Sequence, residues 1–365
     1  MSEQSSGVGT RGRRVIAALS LAAVATAAHA ATLNSPLQLG DTFISDNGMA
    51  NLSQIRAGAR VGGQIAYGAN ERIPGLAIDA TGNLYLAGNP GGTGLTVEQI
   101  QLGQATSTVL LDSTSLTGGT TLRDLAVAPD GTIYTLYSSN GAIDKFTPAG
   151  GGTYTRTALG TLTGFTGADR GSGHQLSLSG DGNYLITSSR TQNRLWSMNT
   201  GTGANQTWTT PTGNGPVSGT QLTLSAESVL DPRGNKILVP MGNDGLYEVD
   251  FDPATGTFPT AAPFRLTNDT VAAFVDALTF DQADNLLVST RDTSTIGSLR
   301  PFTEAELLAA ESGSPFTLLS RTPTYTAADA RIARDVIVSG VVPEPATTAL
   351  LAIGAVGLLA RRRRA

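Results

Sequence analysis

Hydrophobic and polar positions alternate in short runs along most of the chain, and one pattern of about 15 residues occurs five times. In residues 73–88, an apolar strand around Leu76 is followed by a turn at 79–82 and a second apolar strand around Leu86. Alternation with a period of two, interrupted by turn residues, predicts paired β-strands. The pattern returns in residues 123–137, 174–188, 227–240 and 276–290.

The turn of each copy measures the length of the repeat. The same turn position is occupied by Gly82, Gly131, Gly182, Gly234 and Asp284, with spacings of 49, 51, 52 and 50 residues. A period near 50 residues, with several short strands in each repeat, predicts a β-propeller in which every repeat forms one blade. Asp is acceptable in place of Gly because it tolerates left-handed backbone geometry.

The two ends of the repeat region complement each other. Residues 330–340 match only the first strand of the unit, and residues 41–58 contain strand-like segments without a first strand. We expect these segments to share a blade, which would leave no exposed sheet edge. Residues 41–340 comprise 300 positions, or six repeats of 50. The sequence therefore predicts an all-β fold, a six-bladed β-propeller, with seven blades as the alternative.

The first repeat also resembles a known class of propeller. Pro74-Gly75-Leu76-Ala77-Ile78-Asp79, followed by Gly82-Asn83-Leu84-Tyr85-Leu86, is similar to the repeats of NHL-type and gluconolactonase-like six-bladed propellers. The resemblance covers most of the chain and implies a scaffold that serves many unrelated functions. Gluconolactonase-like enzymes hold a metal with a Glu, Asn and Asp set in which Glu precedes Gly-Pro, whereas this chain has Glu227-Ser228-Val229.

Two features interrupt or decorate the repeats. Residues 302–314 lack β alternation, and Thr303 with Glu306 forms a capping-box pattern, which predicts a short helix between blades five and six. Aromatic residues at similar places in the third strands are predicted to pack between blades, with sugar stacking as the alternative. They are Phe146, Trp196 and Tyr247.

The N-terminus has the features of a secretory signal. Arginines precede an apolar segment at 15–28, and Ala28-His29-Ala30 forms a small-x-small cleavage site. We therefore expect residues 1–30 to form a signal helix, with Ala28 and Ala30 defining the cleavage site. The propeller would occupy residues 31–341.

The C-terminus, residues 342–365, is similar to the PEP-CTERM sorting signal of Gram-negative bacteria. Pro343, Glu344 and Pro345 precede an apolar run at 346–360, and an arginine cluster follows. As a single helix this run would be about 22 Å long, shorter than the roughly 30 Å hydrocarbon core of a membrane. A plain tail anchor would not account for the Pro-Glu-Pro tripeptide. The cluster consists of Arg361, Arg362, Arg363 and Arg364.

The resemblance implies a sequence of sorting steps. The arginines are expected to remain cytoplasmic, which leaves the propeller on the far side of the inner membrane. An exosortase, reached through the secretion machinery, would recognise the Pro-Glu-Pro motif and cut there. After this transient anchoring, the protein would reach the cell surface or the extracellular space.

Composition excludes several classes of function. The chain has no cysteine, which excludes thiol catalysis and cysteine-ligated metals. Residues 31–342 contain 17 Lys and Arg against 27 Asp and Glu, a net charge of about −10. This acidic surplus argues against nucleic acid as a partner.

One column of polar residues is the candidate site. It lies two residues before the first central apolar residue of the innermost strands, and equivalent positions there are expected to surround the mouth of the central channel. Pro74 occupies the column in the first repeat, and the other members are Arg123, His174, Glu227, Asp276 and Arg334.

These residue types suggest specific chemistry. Glu227 and Asp276 could hold a hard cation such as Ca²⁺, and His174 could act as a general base. The two arginines could bind a carboxylate or sulfate. The alternative is that the charges are solvated in a water-lined channel or paired across its mouth.

The sequence favours a non-catalytic binding or scaffold module on the surface, in contact with exopolysaccharide or a surface protein of the extracellular matrix. One alternative is a Ca²⁺-dependent lactonase or hydrolase of the gluconolactonase-like type that uses the channel-mouth residues. Another is a purely structural surface protein.

Overall fold

The structure is a computed structural model that describes residues 31–46, 51–66, 75–88, 94–166, 175–189, 192–209, 228–241, 245–259, 262–269, 274–281, 283–292, 297–327 and 333–338. The signal segment and the C-terminal sorting segment lie outside these ranges. Within them, no helix combines the length and the hydropathy needed to span a membrane.

The strands form six sheets, each of which is one blade. Residues at the beginning of the described chain supply the outer strands of the closing blade: β1 (Thr42–Asp46), β2 (Asn51–Arg56), β3 (Ala59–Arg60) and β4 (Ile65–Ala66). The first blade consists of β5 (Gly75–Ile78), β6 (Leu84–Gly88), β7 (Thr96–Ile100) and β8 (Thr108–Leu111). The second consists of β9 (Leu122–Val127), β10 (Ile133–Tyr137), β11 (Ala142–Gly150) and β12 (Thr153–Thr161).

The remaining blades follow the same plan. The third consists of β13 (Leu176–Leu178), β14 (Tyr184–Ser189), β15 (Arg194–Asn199) and β16 (Asn205–Thr209). The fourth consists of β17 (Val229–Leu230), β18 (Lys236–Pro240), β19 (Leu246–Asp250) and β20 (Phe264–Arg265). The fifth consists of β21 (Phe274–Phe280), β22 (Leu286–Arg291), β23 (Gly297–Phe302) and β24 (Tyr325–Ala327), and β25 (Ala333–Val338) is the innermost strand of the closing blade. The predicted six-bladed all-β propeller is confirmed.

The first and last described strands lie side by side. β1 pairs with β25 in antiparallel register, with Ile44 opposite Val336. Ile44 is 1% exposed and Val336 is fully buried, and both belong to a hydrophobic cluster that also contains Leu287 of the fifth blade. The ring is therefore closed by pairing between segments from the two ends of the propeller.

The turns between the first two strands have the predicted chemistry. The amide of Gly234 donates to the carbonyl of Asp231 at 2.8 Å, and the Asp231 carboxylate accepts from the amide of Arg233. Asp284 makes the equivalent bond to Asp281 at 3.1 Å with φ of +57°, which confirms that it takes the Gly position in left-handed geometry.

Hydrophobic side chains form six clusters, one between each pair of adjacent blades. Phe146 lies between blades one and two, Trp196 between two and three, and Tyr247 between three and four. All three are buried, and the Trp196 Nε1 donates to the Thr163 carbonyl at 2.9 Å. The predicted packing role of these aromatic residues is confirmed.

The predicted helix forms, but at a different place in the ring. α1 (Glu304–Glu311) begins at Thr303 with a complete capping box. It lies between β23 and β24, within blade five, rather than between blades five and six. The outermost strand of blade five follows the helix, and Leu307 and Ala310 of the helix pack in the core shared with blade four.

Replacing Ile44 with Ala is expected to lower the free energy of unfolding by about 2–5 kcal/mol, because it leaves a cavity where the ring closes. Urea unfolding followed by tryptophan fluorescence measures the change. Leu39, which is 49% exposed, is the control, and Leu39→Ala should alter stability by no more than roughly 0.5 kcal/mol. Equal effects of the two substitutions would contradict a packed closure.

Asp284→Asn is expected to raise the melting temperature more at pH 7 than at pH 3. Burial, and then the charges of Glu304, Asp231 and Asp281, raise the pKa of Asp284 above its ordinary value of 3.8. A raised pKa in the folded state means that stability is lost as pH rises through the titration, and a neutral Asn avoids that loss. Calorimetry at the two pH values measures the difference in melting temperature between the variant and the unmodified protein.

Asp252→Asn provides the opposite case. Hydrogen bonds from Thr255 and from the amide of Ala254 lower the pKa of Asp252, so its ionised form favours the folded state. This variant should lose stability at pH 7 relative to pH 3. If the two substitutions changed the stability at pH 7, relative to pH 3, in the same direction, the opposite pKa shifts assigned to Asp284 and Asp252 would be contradicted.

Candidate functional site

The predicted channel-mouth column corresponds to a repeated β-bulge. In blade two, Leu136 pairs with Asp124, but the next residue, Tyr137, pairs with Leu122. Arg123 is therefore the extra residue of the innermost strand. A bulge inserts one unpaired residue and changes the direction of its side chain, and bulges are enriched next to binding sites.

The same bulge occurs in two other blades. The register omits Asp276 in blade five and Arg334 in the closing blade, each two residues before the first central apolar residue of its innermost strand, Leu278 or Val336. Three members of the predicted column are thus structurally equivalent. The side chain of Arg334 lies outside the described part of the chain.

The innermost strand of blade three follows the predicted alignment. Leu176 lies three residues before Ser179, whose carbonyl accepts from the amide of Gly182, as Leu76 lies three residues before Asp79 in blade one. The turn of blade three is one residue longer only after Gly182, so Leu176 pairs with Thr187. His174, Glu227 and Pro74 are themselves outside the described residues.

The carboxylate of Asp276 is held within its own blade. Arg291, on the neighbouring strand β22, donates from Nε to the Asp276 Oδ2 at 3.1 Å and from its terminal nitrogen to Oδ1. A two-point pair between Arg and a carboxylate is among the stronger charged hydrogen bonds. Asp276 is therefore paired inside its own blade, whereas the structural alternative places such pairs across the mouth. Arg123, in turn, is only 3% exposed.

Asp124, beside Arg123, was missed by the sequence argument. It is 1% exposed, and its Oδ2 accepts from the amide of Leu176 on the innermost strand of blade three. On its other side, a Cβ on Gly75 of blade one would lie 2.6 Å from the Asp124 Cα. One buried carboxylate thus joins the innermost strands of three blades. Its signal in the sequence is a charged residue next to the apolar core of a predicted central strand.

The interior of the ring next to these strands is apolar. A cavity of about 250 Å³ opens between the innermost strands of blades one to three and the closing blade. Hydrocarbon side chains dominate the wall of this cavity. They include Leu76, Ile78, Leu125, Val127, Leu178 and Ile337.

A second polar column lies in the third strands, between the blades. Its members are buried, and each pairs with the second-strand residue four positions after the turn position. They are Glu98, Asp144, Ser197, Glu248 and Arg300. Because the first turns of blades three and four are one residue longer, Ser197 and Glu248 face the following blade, whereas the other three members face the preceding one. The sequence argument missed this column because the loops before the third strands differ in length, so the spacing from the turn is not constant.

Three members of this third-strand column meet an opposite charge. Arg156 binds Asp144 through Nε at 2.8 Å and through a terminal nitrogen at 3.0 Å, and this hydrogen bonding raises the pKa of Arg156. The Lys236 Nζ lies 2.8 Å from Glu248. Burial raises the pKa of Glu248, and the neighbouring Lys236 opposes that shift.

Arg300 is the cationic member of the column. It lies 2.9 Å from the carboxylate of Asp292 and also donates to the carbonyl of Arg321. Burial alone would raise the pKa of Asp292, but hydrogen bonds from Ser298 and Arg300 outweigh it and lower that pKa. Within the described ranges, no group of three or more His, Asp or Glu residues is placed to hold a metal ion.

The ring has two different ends. We define the mouth face as the end where the innermost strands begin, and the turn face as the end where they finish. The mouth face of blade two is built from residues 117–121 and 138–140, joined by a bond from the Asn140 side chain to the Gly118 carbonyl at 2.9 Å. Its exposed side chains are uncharged and polar: Thr117, Thr120, Thr121 and Asn140.

Comparison with family models identifies the C-terminal segment. Residues 341–364 match the PEP-CTERM protein-sorting motif. The chain therefore carries a signal for export, exosortase processing and a C-terminal anchor with surface localisation. The residues predicted for sorting, Pro343 to Pro345 and Arg361 to Arg364, fall within the matched range.

Comparison with solved structures supports the fold alone. The chain is similar to a structure described as a nidogen/laminin complex, with a TM-score of 0.51 and 12% identity over 82% of this chain and 98% of the other. A putative 6-phosphogluconolactonase from Bacteroides uniformis gives 0.44 and 16% over 72% of this chain and 77% of the other. No curated protein matches the chain.

Gly75→Ala is expected to destabilise the protein by about 1–3 kcal/mol, because the new methyl group would overlap the backbone of Asp124 and force two innermost strands apart. Thermal unfolding of the exported protein measures the loss. Gly63→Ala is the matched control, since a Cβ there meets nothing within 4 Å. Equal melting temperatures for the two variants would contradict the close approach of these strands.

Proposed function

We propose that the mature protein is a non-catalytic binding module that attaches to extracellular polysaccharide through its mouth face. The observation that carries this proposal is the position of the sorting motif relative to the strand that closes the ring. β25 ends at Val338, and the motif begins at residue 341. Processing within the motif would remove the tail and leave every described strand of the propeller in place.

The direction of β25 supports an orientation relative to the membrane. An innermost strand runs from the mouth face to the turn face, so the sorting segment leaves the ring at the turn face. While the tail is in the inner membrane, the mouth face would point away from it. The same face would remain free for a ligand after an exosortase had cut at Pro343-Glu344-Pro345 and the arginine tail, 361–364, had stayed in the cytoplasm.

The chemistry of the described mouth face suits a hydroxylated ligand. Thr and Asn side chains both donate and accept hydrogen bonds, as sugar hydroxyls do. The platform formed by 117–121 and 138–140 is also held in place, because the amide of Thr120 donates to the Ser139 Oγ at 3.2 Å and the amide of Ser138 donates to the Thr121 carbonyl at 3.0 Å. A fixed platform loses little conformational freedom on binding.

The competing calcium-dependent hydrolase needs Asp276 as a metal ligand, with Glu227 and His174. The pairing of both Asp276 oxygens with Arg291 favours the binding module, because a metal would have to displace a charged two-point partner. Arg123 is only 3% exposed, so we assign it no contact with the polysaccharide, and Arg334, at the equivalent bulge, remains the candidate for contact with an acidic sugar.

Thr121→Glu is expected to reduce co-sedimentation of the purified protein, residues 31–342, with exopolysaccharide from the producing strain by roughly tenfold. The substitution adds bulk and charge next to the channel mouth. Thr155→Glu, on the outermost strand of the same blade, is the matched control and should bind like the unmodified protein.

A thermal titration with Ca²⁺ separates the two functions. A saturable rise in melting temperature, accompanied by lactone hydrolysis and lost in Glu227→Ala, would overturn the binding-module proposal. Equal loss of polysaccharide binding in both Thr variants would overturn the assignment of the mouth face.

A further inference from the structure

The first described residues belong to the core of the ring. The amide of Ser107 donates to the carbonyl of Ala31 at 2.9 Å, and the amide of Leu33 donates to the carbonyl of Ala105 at 2.7 Å. Ala31 is only 4% exposed and packs, together with Leu33 and Leu37, between the closing blade and blade one.

The backbone nitrogen of Ala31 points at a buried carboxylate. It lies 3.0 Å from the Glu98 Oε2, and Glu98 is fully buried. The Ser107 hydroxyl donates to the same oxygen, and the Thr96 hydroxyl lies 3.5 Å from the other oxygen. Residues from three segments thus converge on one carboxylate.

Comparison with the third strands of other blades shows how a buried charge at the position of Glu98 is neutralised. Glu98 is the blade-one member of the third-strand column. In blades two and five, where the column member also faces the preceding blade, Asp144 is matched by the opposite charge of Arg156 and Arg300 by that of Asp292. In blade one, the nitrogen of Ala31 is at hydrogen-bond distance.

Signal-peptide removal would change the chemistry of that nitrogen. The cleavage site at Ala28-His29-Ala30 predicts hydrolysis of the Ala30–Ala31 bond by a signal peptidase. Water adds across the C–N bond, so that Ala30 leaves with a carboxylate and Ala31 keeps a primary amine. An α-amino group has an ordinary pKa of about 8, so at pH 7 this amine takes up a proton and becomes an ammonium.

We propose that Glu98 is a built-in receptor for the N-terminal ammonium of the processed chain, and that export processing thereby adds a buried ion pair between the closing blade and blade one. The neutral amide donor of the precursor becomes a charged donor at the same place. The carboxylate then meets a full positive charge instead of an amide dipole, and charges attract more strongly at a buried site than in water. Capture of an N-terminal amine by a prepared site is an established mode of recognition.

Two forms of the chain test this proposal. One begins at Ala31, the other carries a single Gly before Ala31, and both continue to Ala365 in mild detergent. The added Gly keeps an N–H at Ala31 but moves the ammonium one residue away. The form that begins at Ala31 is expected to melt about 3 °C higher. In a Glu98→Gln background the two forms should melt at the same temperature.

Glu248→Gln is the control, because Glu248 is also a buried carboxylate of a third strand and is paired with Lys236. It should lower both melting temperatures and leave the difference between the two forms unchanged. Labelling of the α-amine with a succinimidyl ester gives a second readout at temperatures where all variants are folded. The amine of Ala31 should react about tenfold more slowly than that of the added Gly, since a buried group reacts only through local opening.

Three outcomes would overturn the proposal. They are equal melting and labelling of the two forms, a difference in melting that survives in Glu98→Gln, and an N-terminus other than Ala31 in the protein recovered from the exporting host. None of these results depends on polysaccharide binding, so the test separates this proposal from the proposed function.

Discussion

Both faces of every blade must be covered by its neighbours, and the rest of the molecule depends on this constraint. The second strands of blades one and two, β6 and β10, are buried at all five positions. A strand that is buried on both sides cannot alternate between apolar and charged residues. A blade on its own would expose two apolar surfaces to water, so the cost of exposing them favours only a complete ring.

The same constraint governs the charged residues between blades. A carboxylate or guanidinium taken out of water costs several kcal/mol, in order of magnitude, unless it is paired and hydrogen-bonded. Asp144, Glu248 and Arg300 each meet that requirement with a partner from the same blade or from the loop beside it. Asp124 meets the requirement by accepting a hydrogen bond from the backbone amide of Leu176 in blade three. This bond also aligns the innermost strands of blades two and three. Charge is therefore used here to position strands.

The sequence predicted those parts of the fold that depend on local chemistry. The turn residues gave the repeat length, because the left-handed position accepts only Gly or a residue such as Asp284. The capping box predicted α1 in the same way. The position of α1 within blade five could not be predicted, because it depends on where β24 pairs.

The candidate site was predictable only in part. The channel-mouth column was found because Arg123, Asp276 and Arg334 each lie two residues before the first central apolar residue of an innermost strand, and the shared bulge at these positions came only from the structure. The partner of Asp276 was not predictable, since Arg291 is 15 residues away and is placed by pairing between strands. The third-strand column, which includes Glu98, was not predictable because the loops before the third strands differ in length.

Closure of the ring by β1 and β25 also determines when the protein can finish folding. These strands lie at opposite ends of the propeller sequence, so their pairing is a contact of very high sequence separation, and such contacts form slowly. During export, β1 emerges first and presents an open edge until β25 follows. Because the sorting motif begins directly after β25, the last strand arrives outside just as the tail reaches the membrane. Completion of the fold and recognition of the sorting signal are therefore linked in time.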